Sequence, residues 1–431
     1  MRWLLFFGFA LIPPSYSAEN NYLLRNVHWL DPVHKKDELA DIWIENGKIR
    51  SLKKNAAPKN FKGFNWDLTG RYVVPGFTDM HDHSTFGNPG PGGVNETLTT
   101  NDVAKRMLLN GVTAFLDLFG DEKALFAYRA LKHPEGAKLY AAGPMLTCSN
   151  GHGTEFGIPT RTMDTPLQAR VVVRSLAKEK PDVLKLAYDH ARDYKSMDKA
   201  TMEATIGEAR KVGIRTIVHI GTWQDAEEAV VAGATIITHL HETDIPDRLV
   251  KAMVQHKTWE IPTMTYQQDF LNLLEDRSLL SAPLLGESIT EGLLQSYRTM
   301  QPNTPFLQKV LSMQTKGRDN YFRSLKKLFD AGIPLMTGTD SGDLGVFQGY
   351  SVHREMVLFA KAGIDSWSVL QASSSRPKQF FKRPMGINPG DIADLVVLSN
   401  SPLTDIRNTQ GIEMVFMNGK LVDRKQLGPQ H

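Results

Sequence analysis

Between residues 73 and 340, short apolar segments alternate with longer segments whose apolar residues recur at helical spacing. Short apolar runs are typical of buried parallel strands, and the longer segments are typical of amphipathic helices. Eight strands with intervening helices predict an α/β fold, a (β/α)₈ TIM barrel over residues 75–383, with its chemistry at the C-terminal ends of the strands. The candidate strands are residues 73–80, 112–118, 138–142, 183–187, 214–220, 234–240, 259–264 and 334–340.

Both ends of the chain carry a different pattern, in which short strands are joined by tight turns. Asn-Gly dipeptides at 46–47 and 418–419 are suited to hairpins. We therefore expect residues 19–74 and 384–431 to combine into one small β-sandwich domain. The candidate strands of this domain are residues 22–29, 41–52, 394–398 and 414–422.

The segment between the last two candidate barrel strands is longer than an ordinary connection. Residues 265–320 contain helical patterns that are interrupted at Pro302-Asn303-Thr304-Pro305. Long connections of this kind often cover a functional site. We predict that this insertion is a lid over the mouth of the barrel.

Composition and charge narrow the classes of function. The chain has 431 residues and 41% hydrophobic content, enough for a large core. Its 50 lysine and arginine residues nearly balance its 47 acidic residues, and no long basic run is present. Because nothing here predicts a nucleic-acid-binding face, a small-molecule substrate is the expected partner, and association into a homo-oligomer stays open.

The first residues have the three-part pattern of a secretory signal peptide. Arg2 precedes the apolar stretch 3–13, and small residues follow up to position 18. The stretch is short for a membrane span, so we predict removal of residues 1–18 and no stable membrane insertion afterwards, with a retained anchor as the alternative. Cys148 is the only cysteine, so an internal disulfide is impossible. Both facts fit export to a bacterial periplasm as a soluble protein.

Two histidines end the first barrel strand. His81 and His83 are two residues apart, so in an extended chain their imidazoles point the same way and can share one cation. Such pairs also arise by chance. The position after an apolar strand favours the metal-binding interpretation.

Three further polar residues close later strands. His219 and His239 follow apolar runs, and Asp340 ends the last candidate strand. A single strand-end histidine is often only a hydrogen-bonded structural residue. Four histidines and an aspartate at the same end of parallel strands would instead converge above the barrel axis, where nitrogen and oxygen ligands suit zinc or a similar divalent ion.

Lys185 lies within an otherwise apolar strand. An unpaired lysine inside a barrel would carry a large desolvation cost, so it needs either a solvent-facing orientation or a chemical reason to be there. Both interpretations stay open on the residues alone.

Together these residues make the chain resemble the amidohydrolase superfamily. Within it, the chain is similar to the imidazolonepropionase-like branch, which includes metal-dependent dipeptidases and prolidases. The likeness spans almost the whole chain after the signal segment and implies the TIM barrel expected above. Its motifs are Pro-Gly-Phe-x-Asp-x-His-x-His at 75–83, Gly-Val-Thr at 111–113, Asp-Val-Leu-Lys-Leu at 182–186, His219, His239, Thr-Gly-Thr-Asp at 337–340 and Asp-Ile-Ala-Asp-Leu-Val-Val-Leu at 391–398.

The resemblance implies a centre of two divalent metal ions, with zinc expected. In such enzymes the first two histidines and the final aspartate hold one ion, and the later two histidines hold the other. The family lysine, here Lys185, takes up carbon dioxide to become a carbamate that bridges both ions. The implied ligands are thus His81, His83 and Asp340 for one ion, His219 and His239 for the other, and Lys185 between them.

Substrate-binding residues are also implied. His152, in Gly151-His152-Gly153, matches a segment that follows the third strand in that branch, although it could equally be a turn histidine. His241 could line the pocket or lie at the surface. Where the dipeptidases often have a tyrosine after the strand-five histidine, this chain has Ile220, so dipeptide specificity is open. His353 fits a helix after the eighth strand and is expected to be structural.

Two close divalent ions would lower the pKa of a shared water so that it supplies hydroxide near neutral pH, while one ion polarises the scissile carbonyl. Asp340 would act as general base and then deliver the proton to the departing nitrogen. The expected bond is an amide or cyclic amide of a small molecule, such as a dipeptide or an N-acyl amino acid. Esters and lactones react by the same attack and stay open.

Two other interpretations compete. In a one-metal deaminase or imidazolone-type hydrolase, Lys185 would be an ordinary side chain, and metal content per chain would distinguish the two. A non-catalytic binding protein on the same barrel is disfavoured, because no ligand position of the family pattern is lost.

Overall fold

A computed structural model describes residues 21–131, 135–302 and 304–429. The proposed signal segment, residues 1–18, lies outside the described residues and stays a prediction. None of the helices in the described part of the chain is long and apolar enough to cross a lipid bilayer.

The secondary structure begins and ends with strands and alternates between strands and helices in its middle. The strands are β1 Tyr22–Asp31, β2 Lys36–Glu45, β3 Lys48–Leu52, β4 Phe64–Asp67, β5 Tyr72–Pro75, β6 Phe77–Asp82, β7 Asn88–Pro89, β8 Asn95–Glu96, β9 Val112–Asp117, β10 Lys138–Ala141, β11 Leu146–Thr147, β12 Arg161–Thr162, β13 Leu184–Tyr188, β14 Thr216–Ile220, β15 Ile236–Thr238, β16 Trp259–Ile261, β17 Leu395–Leu398, β18 Ile412–Met417 and β19 Lys420–Leu421. The α-helices are α1 Thr100–Leu109, α2 Glu122–Arg129, α3 Pro166–Ala177, α4 Lys199–Lys211, α5 Trp223–Ala232, α6 Asp247–His256, α7 Met264–Glu275, α8 Pro283–Ser288, α9 Glu291–Thr299, α10 Pro305–Asp330, α11 Ser351–Lys361, α12 Ser366–Leu370 and α13 Arg376–Phe380. Short 3₁₀ helices are Pro91–Gly93, Thr154–Phe156, Arg277–Ser281, Ile406–Gln410 and Arg424–Gln426, and a π-helical turn, Gln371–Ser375, lies between α12 and α13.

Strands from both ends of the chain lie in one sheet. Its order is β19-β18-β17-β5-β1-β2-β3, with β4 beside β1. Both Asn-Gly turns have positive φ at both residues, as a tight hairpin requires. A separate hydrophobic cluster, which includes Leu24, Ile42 and Phe416, is buried against this sheet. The predicted strand groups therefore share one sheet, and its arrangement as a two-layer sandwich stays a prediction.

The middle of the chain contains parallel strands separated by helices. One sheet has the order β10-β9-β6 and another the order β12-β11-β13-β14-β15-β16, and every pair in them is parallel. A backbone bond from Asp182 N to Ala141 O (2.9 Å) links the two sheets. A buried apolar cluster, with Met80, Leu116 and Ile236 among its members, is built from these strands. This α/β arrangement fits a TIM barrel.

The expected first barrel strand, residues 73–80, is wrong as a continuous element. β5 pairs with β17 of the terminal sheet, whereas β6 pairs with β9. The strands part at Gly76, where an added Cβ would lie 2.3 Å from the Thr113 side chain and where the amide N–H donates to Asp394 O. The apolar run continues from one sheet into the other without a break, so periodicity could not locate the point where the two strands part.

The eighth expected strand, residues 334–340, is present only as isolated contacts. Glu260 pairs with Leu335 in a parallel bridge, and Met336 N donates to Glu260 O. On the other side, Met80 N donates to Thr337 O (2.9 Å). This segment therefore lies between β16 and β6.

The long insertion forms helices, as its sequence predicts. It comprises α7, α8, α9 and the first half of α10. The predicted break precedes α10, which Thr304 caps and Pro305 begins.

Candidate metal centre

The candidate ligands lie at the same end of the parallel strands. His81 is near the end of β6, Lys185 lies within β13 and His219 is near the end of β14. His239 directly follows β15, and Asp340 follows the segment that lies between β16 and β6. Because parallel strands present their C-terminal ends to one side, these side chains converge.

The Asp340 carboxylate contacts both histidines at the end of β6, His81 and His83. Its Oδ1 lies 3.1 Å from His81 Nε2 and 2.9 Å from His83 Nε2. Its Oδ2 lies 3.7 Å from His239 Nδ1. One carboxylate therefore faces three of the four predicted histidine ligands.

Lys185 points into this group and not towards solvent. Its side chain is buried, and Nζ lies 3.2 Å from His81 Nε2. Burial lowers the pKa of Lys185 to about 7. Of the two orientations that the sequence left open, the structure has the inward one.

His219 and His239 form the other side of the centre. Their ring centroids are 4.4 Å apart, and the His239 ring is 5.0 Å from that of His81. His219 Nε2 lies 3.2 Å from Asp189 Oδ2, so in this conformation it faces a carboxylate beside the centre. His239 Nδ1 lies 2.8 Å from Thr263 Oγ1.

Two of these residues have a backbone conformation that is uncommon outside glycine. The φ angles are 79° for His239 and 64° for Asp340. Each is held by a backbone bond, from His239 N to Ile261 O (3.0 Å) and from Asp340 N to His81 O (2.8 Å). Strained residues of this kind cluster at functional sites.

The charge states of His81, His219, His239 and Asp340 favour ligands that are ready to bind a cation, whereas that of His83 does not. Burial lowers the pKa of His81 to about 3 and lowers the pKa values of His219 and His239 well below their usual range. Burial opposes ionisation of Asp340, but the neighbouring histidines outweigh it and hold its pKa well below the usual value. For His83, burial is outweighed by the bond with Asp340, which raises its pKa. Neutral imidazoles and an ionised carboxylate are the forms that bind divalent metals.

Sequence reasoning missed the carboxylates that hold these ligands in place. Asp79 accepts hydrogen bonds from Thr339 N (3.0 Å) and Thr339 Oγ1 (2.6 Å) and from His81 N (3.1 Å), so it joins the segments of His81 and Asp340. Asp117 accepts from Phe119 N (3.0 Å), and the Phe119 carbonyl lies 3.1 Å from His83 Nδ1. The sequence features that could have indicated these carboxylates are Asp79, two residues before His81, and Asp117, at the end of β9.

The donor set fits a metal ion. Ligand atoms of His81, His239 and Asp340 all lie within 4.8 Å of one another, and all three residues are buried. His239 Nε2 is buried and has no hydrogen-bond partner in the described part of the chain. An orphaned imidazole nitrogen beside a carboxylate is the arrangement that a divalent cation would complete.

A cavity of about 640 Å³ opens above these ligands. Lys185, His219 and Asp340 line its floor, and helix α10 contributes Phe306 and Met313 to its wall. This placement supports a substrate-binding role for the cavity, whose size suits a small molecule.

The two predicted substrate-binding histidines are placed differently. His152 lines the cavity, its ring is 4.6 Å from that of His219, and its Nδ1 lies 2.7 Å from Glu155 Oε1. His241 is absent from the residues that line the cavity in the described chain, and its Nδ1 lies 2.9 Å from Thr243 Oγ1. His353 is buried away from the cavity. The roles of His152 and His241 stay predictions.

The cavity also contains residues that the sequence did not point to. Arg192 follows β13, and Tyr266 lies on α7. Glu355 accepts hydrogen bonds from the first amides of α7, Met264 N (3.0 Å) and Thr265 N (2.7 Å), and so fixes this helix. No spacing rule marks Arg192, in a loop, or Tyr266, on a helix, before the fold is known.

Comparison with known proteins finds both a family profile and individual relatives. The sequence profile of the Amidohydrolase family matches residues 72–422. The dihydroorotase of Elusimicrobium minutum (strain Pei191) is 40% identical over 92 residues, 21% of this chain and 20% of that protein. The dihydroorotase of Desulfotalea psychrophila is 37% identical over 127 residues, 28% of this chain and 29% of that protein. The chain thus aligns with less than a third of the length of these relatives.

Solved structures are similar over nearly their whole length. A Xaa-Pro dipeptidase with bound methionine in the active site has a TM-score of 0.73 at 18% identity, over 93% of this chain and 99% of that chain. Molinate hydrolase has a TM-score of 0.72 at 16% identity, over 96% of this chain and 97% of that chain. At these identities the likeness shows a shared fold.

Proposed function

The chain belongs to the amidohydrolase family, and from this premise we propose that it is a metal-dependent hydrolase that cleaves an amide or cyclic amide C–N bond of a small molecule. The observation that carries the proposal is the buried group of His81, His239 and Asp340 below a cavity of about 640 Å³. The matches to dihydroorotases and the fold likeness to a dipeptidase support a C–N bond as the one cleaved. We place the protein in the prolidase-like branch, with a dipeptide or an N-acyl amino acid as substrate.

We assign two divalent ions, zinc by preference, to this centre. His81, His83 and Asp340 would hold the first and His219 and His239 the second. Lys185, as a carbamate formed with carbon dioxide, would lie between them, which its inward orientation and its contact with His81 support. Ions bound here would acidify a water molecule and polarise the scissile carbonyl.

Asp340 is assigned the proton transfers. Its ionised carboxylate faces the cavity, so it can accept the proton of the attacking water. It would then donate that proton to the departing nitrogen, which leaves as a neutral amine. His81 and His83 orient the carboxylate through their contacts with Oδ1.

We also propose that the parallel strands close into a (β/α)₈ barrel. The backbone bonds of residues 335–337 to β16 and to β6 support this closure. Closure would set His81 and Asp340 on neighbouring strands, although they are far apart in the sequence.

A hydrolysis screen tests the function. Purified, zinc-loaded protein would be incubated with dipeptides, N-acyl amino acids, cyclic amides and lactones, and metal-free protein would serve as the control. Metal-dependent release of an amine or ring-opened product is the expected result. Failure of folded, loaded protein to cleave any C–N bond would contradict the proposal, and cleavage of lactones alone would redirect it to esters.

For cellular location, we propose export to a bacterial periplasm after removal of residues 1–18, as the sequence pattern supports. Mass spectrometry of protein from the native host would then find a chain that starts near position 18. An intact N-terminus on membrane-bound protein would favour a retained anchor.

A further inference from the structure

One part of the cavity wall is aromatic. Phe86 and Phe119 lie in the loops after β6 and β9, and Phe156 ends a 3₁₀ helix after β11. The centroid of Phe86 is 5.3 Å from that of Phe156 and 6.0 Å from that of Phe119. Phe86 is also 5.7 Å from the ring of His83. We call these three side chains the phenylalanine cluster. It lies on the side of the cavity formed by the connections after β6, β9 and β11.

Another part of the cavity wall, formed by the connections after β13 and β16, carries the guanidinium of Arg192. Arg192, in the loop after β13, donates through Nη2 to the Tyr266 hydroxyl at 3.3 Å and pairs through Nε with Asp189 Oδ2 at 3.1 Å. Tyr266 lies after β16, so the contact spans the cavity mouth above β14 and β15. Within the described chain, Arg192 has no other hydrogen bond or ion pair, and its side chain is 36% exposed. One edge of the guanidinium is therefore open to the cavity.

One intervening side chain separates Arg192 from each of two candidate ligands, Asp189 in the case of His219 and Tyr266 in the case of His239. Asp189 Oδ2 contacts both Arg192 and His219 Nε2, the latter at 3.2 Å. The Tyr266 ring is 5.9 Å from the ring of His239. Arg192 thus lies beside the two candidate ligands His219 and His239.

The surroundings leave Arg192 available for an anion. Asp343 also lines the cavity and attracts Arg192, but no ion pair joins the two in the described residues. The Tyr266 hydroxyl accepts the bond from Arg192 and keeps its own proton, so it can donate one hydrogen bond to a ligand. The planar fork of a guanidinium suits two-point binding of a carboxylate.

We propose that Arg192, together with Tyr266, binds a carboxylate of the substrate while the phenylalanine cluster receives an apolar group at its other end. This inference rests on the proposed amide hydrolysis and names its substrate class: an N-acyl amino acid with an apolar acyl group. In such a compound the carboxylate belongs to the amine product. The amine part therefore lies towards His219 and His239, and the acyl part lies towards His83.

Binding can be tested without turnover. The probes are 3-phenylpropanoate and 3-phenylpropanol, which share an apolar ring and differ in the carboxylate. We expect zinc-loaded wild-type protein to bind the acid about ten- to a hundredfold more tightly, as for hydrogen bonds to a charged group. Arg192→Gln should lose this preference, whereas Arg248→Gln, a surface arginine paired with Glu227, should keep it. An unchanged preference in Arg192→Gln would place the carboxylate on the metal ions and overturn the proposal.

Turnover separates this inference from the proposed function. With N-benzoyl-L-alanine as substrate, Arg192→Gln should raise KM by at least about tenfold with little change in kcat, and N-benzoyl-L-alaninamide should be unaffected. Binding that depends on Arg192 without any hydrolysis would refute the hydrolase proposal and leave the carboxylate site standing. If Arg192→Gln does not fold, Arg192→Lys and Tyr266→Phe should each weaken binding of the acid alone, and equal effects on acid and alcohol would overturn the proposal.

Discussion

At the scale of single residues, most of the proposed chemistry depends on Asp340. One of its oxygens contacts His81 and His83, and the other faces His239. Its pKa is held well below the usual range despite burial, so it is ionised at neutral pH. A ligand that is also ionised and faces the substrate cavity can accept a proton without further rearrangement.

Replacing Asp340 should therefore remove catalysis more than structure. Asp340→Asn keeps the shape of the side chain and deletes its charge, so we expect kcat to fall by about 10²–10⁴-fold. Steady-state kinetics on the zinc-loaded variant, with folding checked by circular dichroism, would measure this loss. Asp244→Asn, which alters a surface pair with Arg323, is the matched control. Near-normal turnover of a folded Asp340→Asn protein would show that another group moves the proton.

Lys185 is the residue whose role the sequence could least decide. If its carbamate bridges two ions, wild-type protein should bind about two ions per chain, and Lys185→Ala should lose metal and activity together. Added acetate or propionate should partly restore both by occupying the vacated position. Elemental analysis and activity would be measured with and without the acid, and Lys326→Ala, which alters a surface pair with Asp330 on α10, is the control. Two ions and full activity in Lys185→Ala would leave the lysine as a plain strand residue.

The sequence predicted those site residues that follow apolar strands. His81, His219, His239 and Asp340 could be found because strand ends in a parallel fold share one side. Arg192 and Tyr266 could not, since each lies in a connection whose path depends on tertiary packing. Asp79 was visible in the motif, but its bonds to Thr339 appear only once two distant segments are adjacent.

At the scale of elements, the two Asn-Gly turns of the terminal sheet lie against each other. An added Cβ on Gly419 would be 2.3 Å from Gly47 Cα, and the φ of Gly419 is 70°. The turns were predictable from their dipeptides, but their mutual contact was not, because it joins opposite ends of the chain. Likewise, most of the parallel strands were predictable from apolar runs, whereas the break at Gly76 was hidden within one.

This contact predicts an unusual sensitivity at Gly419. Gly419→Ala should lower the free energy of unfolding by more than the ~1–2 kcal/mol that a left-handed backbone alone costs. Gly70→Ala is the matched control, because its φ is 77° but an added Cβ would meet nothing within 4 Å. Denaturant unfolding would compare the two. Equal losses would show that the turns do not need their close approach.

His353, on helix α11, contacts one residue that precedes a parallel strand and one residue that precedes a strand of the terminal sheet. Its Nε2 lies 3.0 Å from Asn110 O, before β9, and its Nδ1 lies 3.0 Å from Thr409 Oγ1, before β18. Burial lowers the pKa of His353 to about 4. The structural role expected from its sequence position fits these contacts.

A pH dependence of stability follows from His353. The unfolded imidazole takes up a proton below about pH 6.5, whereas the folded one stays neutral down to about 4. The unfolded state therefore binds more protons in this window, and stability falls as the pH drops through it, by up to about 3 kcal/mol from this residue. Denaturant unfolding at pH 7 and pH 5 should show a smaller loss for His353→Gln than for wild type. His256→Gln, at the exposed end of α6, should behave as wild type, and an unchanged loss in His353→Gln would refute the assignment.

At the scale of the whole molecule, the candidate ligands come from segments spread between residues 81 and 340. These segments belong to different strands of the parallel array, so bound ions would add cross-links to the packing and hydrogen bonds that already join them. A ligand that binds the folded state alone stabilises it by mass action. The centre should therefore contribute to stability as well as to chemistry.

Removing the metal should lower the temperature of unfolding of the whole region of parallel strands. At a free ion concentration about a thousandfold above Kd, linkage contributes about 4 kcal/mol per site, which corresponds to a shift of about 5–10 °C in a domain of this size. Calorimetry of chelator-treated protein, before and after zinc is restored, would measure the shift. His241→Ala should show the same shift as wild type, since its ring lies outside the cavity lining, whereas His239→Ala should show a smaller one. If metal-free and loaded wild-type protein unfold at the same temperature, the buried group of His81, His239 and Asp340 does not bind an ion, and the hydrolase proposal loses its physical basis.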